Sequence, residues 1–289
     1  MIANHLTVIG LGLIGGSLIR ALREAGAAGR ITGCDPDPRQ GRYALDHKLI
    51  EVAESDPARA VAGAELVVIA VPVLRTGEVV RAIRAALPVG AILTDVGSTK
   101  QSVLADVRAV YDELPPWFVP AHPIAGTEKS GVANSLAGLF RNHRTILTPH
   151  AAQSRAALER VRDMWQAAGA RVVEMDAARH DAIFAATSHL PHVLAYSFVD
   201  MLAGIDGHHE IFSNAGGGFR DFTRIASSSA DMWHDIVRAN AGPVLQLLDR
   251  QIGELQALRT LIAEGEWEAL RVRFQRARDA REHYLGQIE

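Results

Sequence analysis

Cysteine is almost missing from these 289 residues, and Cys34 stands alone. A single thiol can close no intrachain disulfide and build no cysteine-rich zinc cluster, so a reducing, cytoplasmic setting is expected. Lysine is scarce as well: Lys48, Lys100 and Lys129 are the only three, against 27 arginines. A basic surplus is also lacking, because 30 Lys and Arg face 33 Asp and Glu for a formal charge of -3. That balance argues against nucleic acid or an anionic membrane as partner. No uninterrupted apolar run of bilayer length stands out, so no membrane-spanning helix is expected. The start, Met1, Ile2, Ala3, Asn4, His5, shows no basic stretch followed by an apolar one, so no secretory leader is expected either.

What is present is a chain able to bury a core, with 48% hydrophobic and 22% charged residues, long enough for two domains. Through about residue 176, short apolar runs alternate with amphipathic stretches, the pattern of an α/β parallel sheet flanked by helices. Runs at 6–10, 30–34, 65–71 and 91–95 read as the first four strands, with further candidates at 117–121, 145–148 and 171–174. Helices are predicted at 13–25, 75–87 and 154–168. From Ala177 onward strand-like alternation stops and helical periodicity takes over, giving an all-α C-terminal domain over 177–289. Pro243 suits the first turn of a long helix, in which Leu247, Leu248, Ile252, Leu255 and Leu258 form one wide apolar face. Such a face can supply a dimer interface.

The segment GLGLIGGS at 10–17 closes the first strand and opens the first helix. Gly10 suits a tight turn, Gly12 a close backbone approach to a pyrophosphate, and Gly15 the packing of helix on strand. Asp35 follows 20 residues after Gly15, at the end of the second strand, where a carboxylate accepts from a ribose and repels a 2′-phosphate. NAD is therefore favoured over NADP, although Arg39 is near enough to hold a phosphate. Leu13 and Ile14 belong to the same loop. Val71 and Pro72 end the next strand and Ser98 follows the one after it, on the side where open α/β sheets bind ligands. Ser98 can face substrate or simply cap a helix. Cys34 reads as a buried strand residue.

Three further segments concentrate polar groups. HPIAGTEKSG at 122–131 places His122 after a strand, where it can be a structural histidine or a base near neutral pH. SHLPH at 188–192 puts His189 and His192 on one helical face, with Pro191 expected to kink the helix. A metal would need a third ligand, and His180 is too far away in spacing to supply it, so core and substrate roles stay open. GGGFRDFTRIA at 216–226 carries Asp221 and Arg224, three apart, which can pair with each other or leave the arginine to grip a carboxylate. Lys129 falls in the first of these segments and Lys100 ends DVGSTK at 95–100, the loop that carries Ser98, in a chain that otherwise uses arginine.

Taken in order, these segments resemble the prephenate and arogenate dehydrogenases of tyrosine biosynthesis over nearly the whole chain. The resemblance implies an NAD-dependent oxidative decarboxylation of prephenate to 4-hydroxyphenylpyruvate. It implies that His122 draws the proton from the ring hydroxyl and that Ser98 orients it. It further implies that His192 touches the side-chain keto group, that Arg224 binds a carboxylate with Asp221 steadying it, and that His189, Glu128, Gly217 and Trp233 lie around the substrate. Arogenate, or both substrates, is the nearest alternative. No metal is implied, and a homodimer through the helical domain is. Relatives often carry a fused mutase or regulatory domain, and neither is expected here, so any inhibition by tyrosine would act at the active site. Two rivals remain. A β-hydroxyacid dehydrogenase would need a catalytic lysine in the second domain, and none follows Lys129. A non-catalytic NAD sensor would have no need of His122, His192 and Arg224 together.

Overall fold

The computed structural model describes residues 1–127 and 129–285. Six parallel strands form one sheet: β1 Ala3–Ile9, β2 Ala28–Cys34, β3 Val52–Glu54, β4 Leu66–Ile69, β5 Ile92–Asp95 and β6 Phe118–Val119. Their order is β3-β2-β1-β4-β5-β6, the doubly wound arrangement in which the chain reverses direction across the sheet between β1 and β4. Successive residues of β4 serve opposite faces. Leu66 and Val68 enter one apolar core, Val67 and Ile69 the other, and all four are almost fully buried. This explains why the run reads as unbroken apolar sequence.

Two strand assignments need correction. β3 adds a strand to those the sequence predicts, because its three half-buried residues make no apolar run and it lies at the sheet edge. The single strand expected at 117–121 is divided at Pro120. β6 completes the first sheet, whereas β7 Ala121–Pro123 starts a second, pairing antiparallel with β8 Arg144–Leu147, itself parallel to β9 Arg171–Glu174. Proline has no N–H to give to a continuing ladder, so the change of sheet falls where pairing is already interrupted.

The elements after Glu174 are helical, as the periodicity predicts. By compactness, however, the chain divides into Met1–Ala241 and Gly242–Glu289. The change near residue 176 thus marks a switch of secondary structure, and the helices up to Ala239 belong to the same compact body as the sheets. The second unit is a helical hairpin, Ala241–Glu264 and Trp267–Leu285, turned at Gly265 with its left-handed φ of 73° and bridged by an Arg273–Glu254 ion pair.

The helix over 177–203 departs from expectation twice. It is long and apolar enough to cross a bilayer, although polar residues interrupt its apolar sequence. Yet it carries His180 and Asp181, both buried and hydrogen-bonded to residues of the sheet region, and a lipid setting would strip these groups of such partners. It also changes pitch, with a wide π turn over Ala185–His189 between helical segments Ala177–Phe184 and Leu190–Ala203. Pro191 cannot donate to the carbonyl four residues back, so the ladder loosens just before it.

Candidate active site

The glycine loop opens into the crevice between β1 and β4. Gly10 has φ 102°, and a Cβ there would lie 2.3 Å from the Ala70 carbonyl oxygen. A Cβ on Gly15 would lie 2.1 Å from the Gly10 oxygen, so helix Leu13–Glu24 packs on β1 only through glycine. Gly12 is different, since a Cβ there meets nothing within 4 Å. The space beside it is open at a helix N-terminus that lacks a side-chain cap, which is what a pyrophosphate requires. Leu13 is buried beneath the loop and Ile14 is half-buried. Asp35 is held beside the loop, its carboxylate accepting from the Leu11 N–H at 2.8 Å and the Asp37 N–H at 2.9 Å. Arg39 is engaged by Asp37 through both carboxylate oxygens at 2.9–3.1 Å, and this contact holds the Asp37 pKa down at about 2. The guanidinium that could have served a 2′-phosphate thus already has an anion. Val71 and Pro72 close the far side of the crevice, half-buried and exposed respectively.

Next to the strand ends lies a cavity of about 280 Å³ lined by Ser98, His122, Phe184, Ser188, His189 and Trp233, together with residues 123–126. His122 projects from β7 and is buried. Burial pushes its pKa well below 6.5, with His180, Lys100 and His189 adding to the effect, so the imidazole is neutral. Its Nδ1 lies 2.9 Å from Nε2 of His180, whose Nδ1 lies 2.8 Å from Asp181. Phe184 meets the His122 ring edge-on at 4.9 Å between centroids, fixing its plane. The Trp233 indole N–H is buried without a hydrogen-bond partner among the described residues, a donor suited to a ligand oxygen.

Below the cavity Lys100 is fully buried. Its ammonium donates to Asp95 at 2.5 Å and to the Ala121 carbonyl at 2.6 Å, and Asp95 also accepts from the Gly97 and Ala121 N–H groups. Burial lowers the Lys100 pKa, opposed by Asp95 and Asp181. This knot ties β5 to the residue preceding His122, so the rare lysine marks a structural strut rather than a ligand-binding charge.

The predicted residues do not all converge. Ser98, His122, His189 and Trp233 share the cavity. His192 lies outside this lining, stacked on Trp233 with ring centroids 3.4 Å apart, and borders a neighbouring apolar cavity with Tyr196 and Val237. Gly217 opens a short helix and is exposed, as are Asp221 and Arg224. The Arg224 charge reaches His192, whose pKa is lowered first by burial and then by that guanidinium. Glu128 lies outside the described residues. Sequence reasoning overlooked Asp95, Asp181 and Asn240, and it judged His180 only as a metal ligand. His180 meets His122 across 58 residues of chain, a contact no local pattern announces.

A doubly wound sheet with an open glycine loop, an anchored ribose-type carboxylate and a neutral imidazole beside the strand ends defines a dinucleotide-dependent dehydrogenase. Residues 18–174 match the family model for the prephenate dehydrogenase nucleotide-binding domain, and residues 176–276 match that for the prephenate dehydrogenase dimerization domain. The chain belongs to the prephenate dehydrogenase family. It is 37% identical to a cyclohexadienyl dehydrogenase of Zymomonas mobilis over 281 residues, 96% of this chain and 95% of that one. It superposes with a TM-score of 0.90 and 32% identity on prephenate dehydrogenase from Aquifex aeolicus in complex with hydroxyphenyl propionate and NAD+, covering 97% and 98% of the two chains. A Synechocystis arogenate dehydrogenase gives 0.80 and 26%, over 97% and 99%.

Proposed function

We propose that this enzyme oxidises prephenate with NAD and releases CO2, giving 4-hydroxyphenylpyruvate. The observation that carries the reading is His122, a neutral imidazole lining a cavity beside the dinucleotide crevice. When bound, NAD accepts the hydride from the ring carbon that bears the hydroxyl; Gly10, Gly12, Gly15 and Asp35 hold it. His122 Nε2 takes the hydroxyl proton as the hydride leaves. A protonated dienone is a strong acid, so a weakly basic imidazole suffices. Loss of the ring carboxylate as CO2 then sends its bonding pair into the ring, and the resulting phenolate oxygen recovers the proton from His122. No net proton is consumed. In this reading Ser98 and Trp233 orient substrate oxygens from the cavity wall, His192 meets the side-chain keto group and Arg224 binds a carboxylate.

Prephenate is favoured over arogenate because the imidazoles of His122 and His189 in the cavity lining are neutral and offer no negative charge to an ammonium group. The decisive assay supplies each substrate with NAD or NADP and follows the absorbance of the reduced nicotinamide. Prephenate with NAD should give the highest kcat/KM. His122→Asn should lower kcat by about 10²–10⁴-fold with NAD affinity retained. Unchanged turnover in that variant would remove His122 from the chemistry. We also propose a homodimer formed through the C-terminal helices, supported by the exposed apolar side chains of Leu245, Ile252, Leu255 and Ile262.

A further inference from the structure

The protons on the imidazoles around the cavity can be assigned from hydrogen bonds that have only one possible direction. Backbone amides only donate, so the Lys100 and Gln101 N–H groups, 2.8 and 2.9 Å from Asp181 Oδ1 and Oδ2, make that carboxylate an acceptor. Burial alone would raise its pKa, yet the bonds from His180 and these two amides hold it below the usual range. His180 therefore carries its proton on Nδ1, facing Asp181. Burial keeps His180 neutral despite that carboxylate, which leaves its Nε2 bare. Only a donor can face it, so His122 bears its proton on Nδ1 and offers an unprotonated Nε2 to the cavity.

A second arm leaves the same residue. The Asp181 backbone carbonyl can only accept, and Asn240 Nδ2 lies 2.8 Å away, which fixes the orientation of the Asn240 amide. The same Nδ2 lies 3.0 Å from His189 Nδ1, so that nitrogen accepts. Burial lowers the His189 pKa to about 4, and the neutral ring must then keep its proton on Nε2.

We propose that Asp181 sets the two imidazoles lining the cavity in opposite tautomers: His122, through His180, as a bare Nε2, and His189, through Asn240, as an Nε2–H donor. Asp181, His180 and Asn240 are positioning residues. The cavity thus presents one acceptor nitrogen, fit for a hydroxyl that must lose its proton, and one donor, fit for a carbonyl or carboxylate oxygen. An ammonium group would find no acceptor at His189. The charged and titratable groups facing His122 are His180, Lys100 and His189, with Asp95 and Asp181 behind them. The kinetic consequences rest on the dehydrogenase reading above, but the tautomers do not.

The test begins with the whole ligand-free protein, its histidines 15N-labelled, in long-range proton–nitrogen spectra near pH 7.5. His122 and His189 are assigned from single substitutions. Opposite neutral tautomers are expected, and matching tautomers, or a protonated ring at either position, would overturn the proposal. His180→Phe removes the acceptor and should cut kcat about 10²-fold at nearly constant KM, with His122 no longer held in one tautomer. His180→Gln has a carbonyl for His122 and an amide N–H for Asp181, and should restore kcat to within about tenfold of the parent. Asn240→Leu should free the His189 tautomer and leave that of His122 unchanged. A folded His180→Phe enzyme with parental kcat would refute the His122 arm. Opposite tautomers in a chain inert toward prephenate and arogenate would instead refute only the dehydrogenase reading.

Discussion

Around His122, burial decides charge, and charge decides which pH range the enzyme can use. The pKa of His122 lies well below 6.5, so its neutral, proton-accepting form persists throughout the neutral range. The kcat/KM profile should therefore stay level from about pH 8 to below 6.5 and fall only on further acidification, because a protonated ring cannot take the hydroxyl proton. An acid limb at or above pH 6.5 would contradict this. His189 has the same sign of shift, and in its case the effect is on stability. In the unfolded chain it titrates near 6.5 and in the folded one near 4, so the unfolded state binds more protons between those values. Its stabilising contribution is complete above about pH 6.5 and is lost as pH falls toward 4, on the order of 3 kcal/mol in all. Urea midpoints measured across that window should fall accordingly, and His189→Asn should flatten the dependence. Cys34 is a simpler case: burial first, then Asp35, pushes its thiol up to about 12. It should resist a thiol reagent in the native protein and react once, fully, on unfolding.

The glycine loop and its helix show how far an element can be anticipated. Spacing gives Gly10 a tight turn, Gly12 a backbone approach to a pyrophosphate and Gly15 the packing of helix on strand; the structure has a left-handed φ at Gly10, open space at Gly12 and a close packing contact at Gly15. The two packing consequences separate experimentally. Gly15→Ala should lower Tm and weaken dinucleotide binding, since its methyl would overlap the Gly10 carbonyl. Gly12→Ala should leave Tm nearly unchanged and weaken binding alone, because its methyl would enter empty space where a pyrophosphate belongs. Equal Tm losses in both would defeat this distinction. Turn chemistry is local, which is why these roles were legible. The division of 117–121 at Pro120 was less so, because either sheet satisfies the same apolar residues and only pairing partners decide between them. Pro191 predicts a kink, and the structure has a change of pitch over Ala185–His189 just before it.

For the molecule as a whole, the apolar stripe of the C-terminal hairpin is the outstanding surface. Leu255 is 51% and Ile252 45% exposed in the single chain, a costly arrangement in water unless covered. Leu255→Glu combined with Ile252→Glu should convert the proposed dimer to a monomer in sedimentation measurements. An unchanged assembly state would place the interface elsewhere.

Periodicity, glycine spacing and the polar segments determined, without any coordinates, an α/β parallel sheet followed by helices and a dinucleotide loop, and they singled out His122 as a candidate base. These follow from forces between residues close in sequence: the alternation of strands, the needs of a tight turn, the run of a helical face. Only the tertiary structure could bring His180 to His122, join Asp181 to the amides of Lys100 and Gln101, and set Asn240 against His189. Those contacts span 51 to 81 residues and arise from buried polar groups seeking partners once the chain is packed. Such pairing leaves no periodic trace in the order of the amino acids.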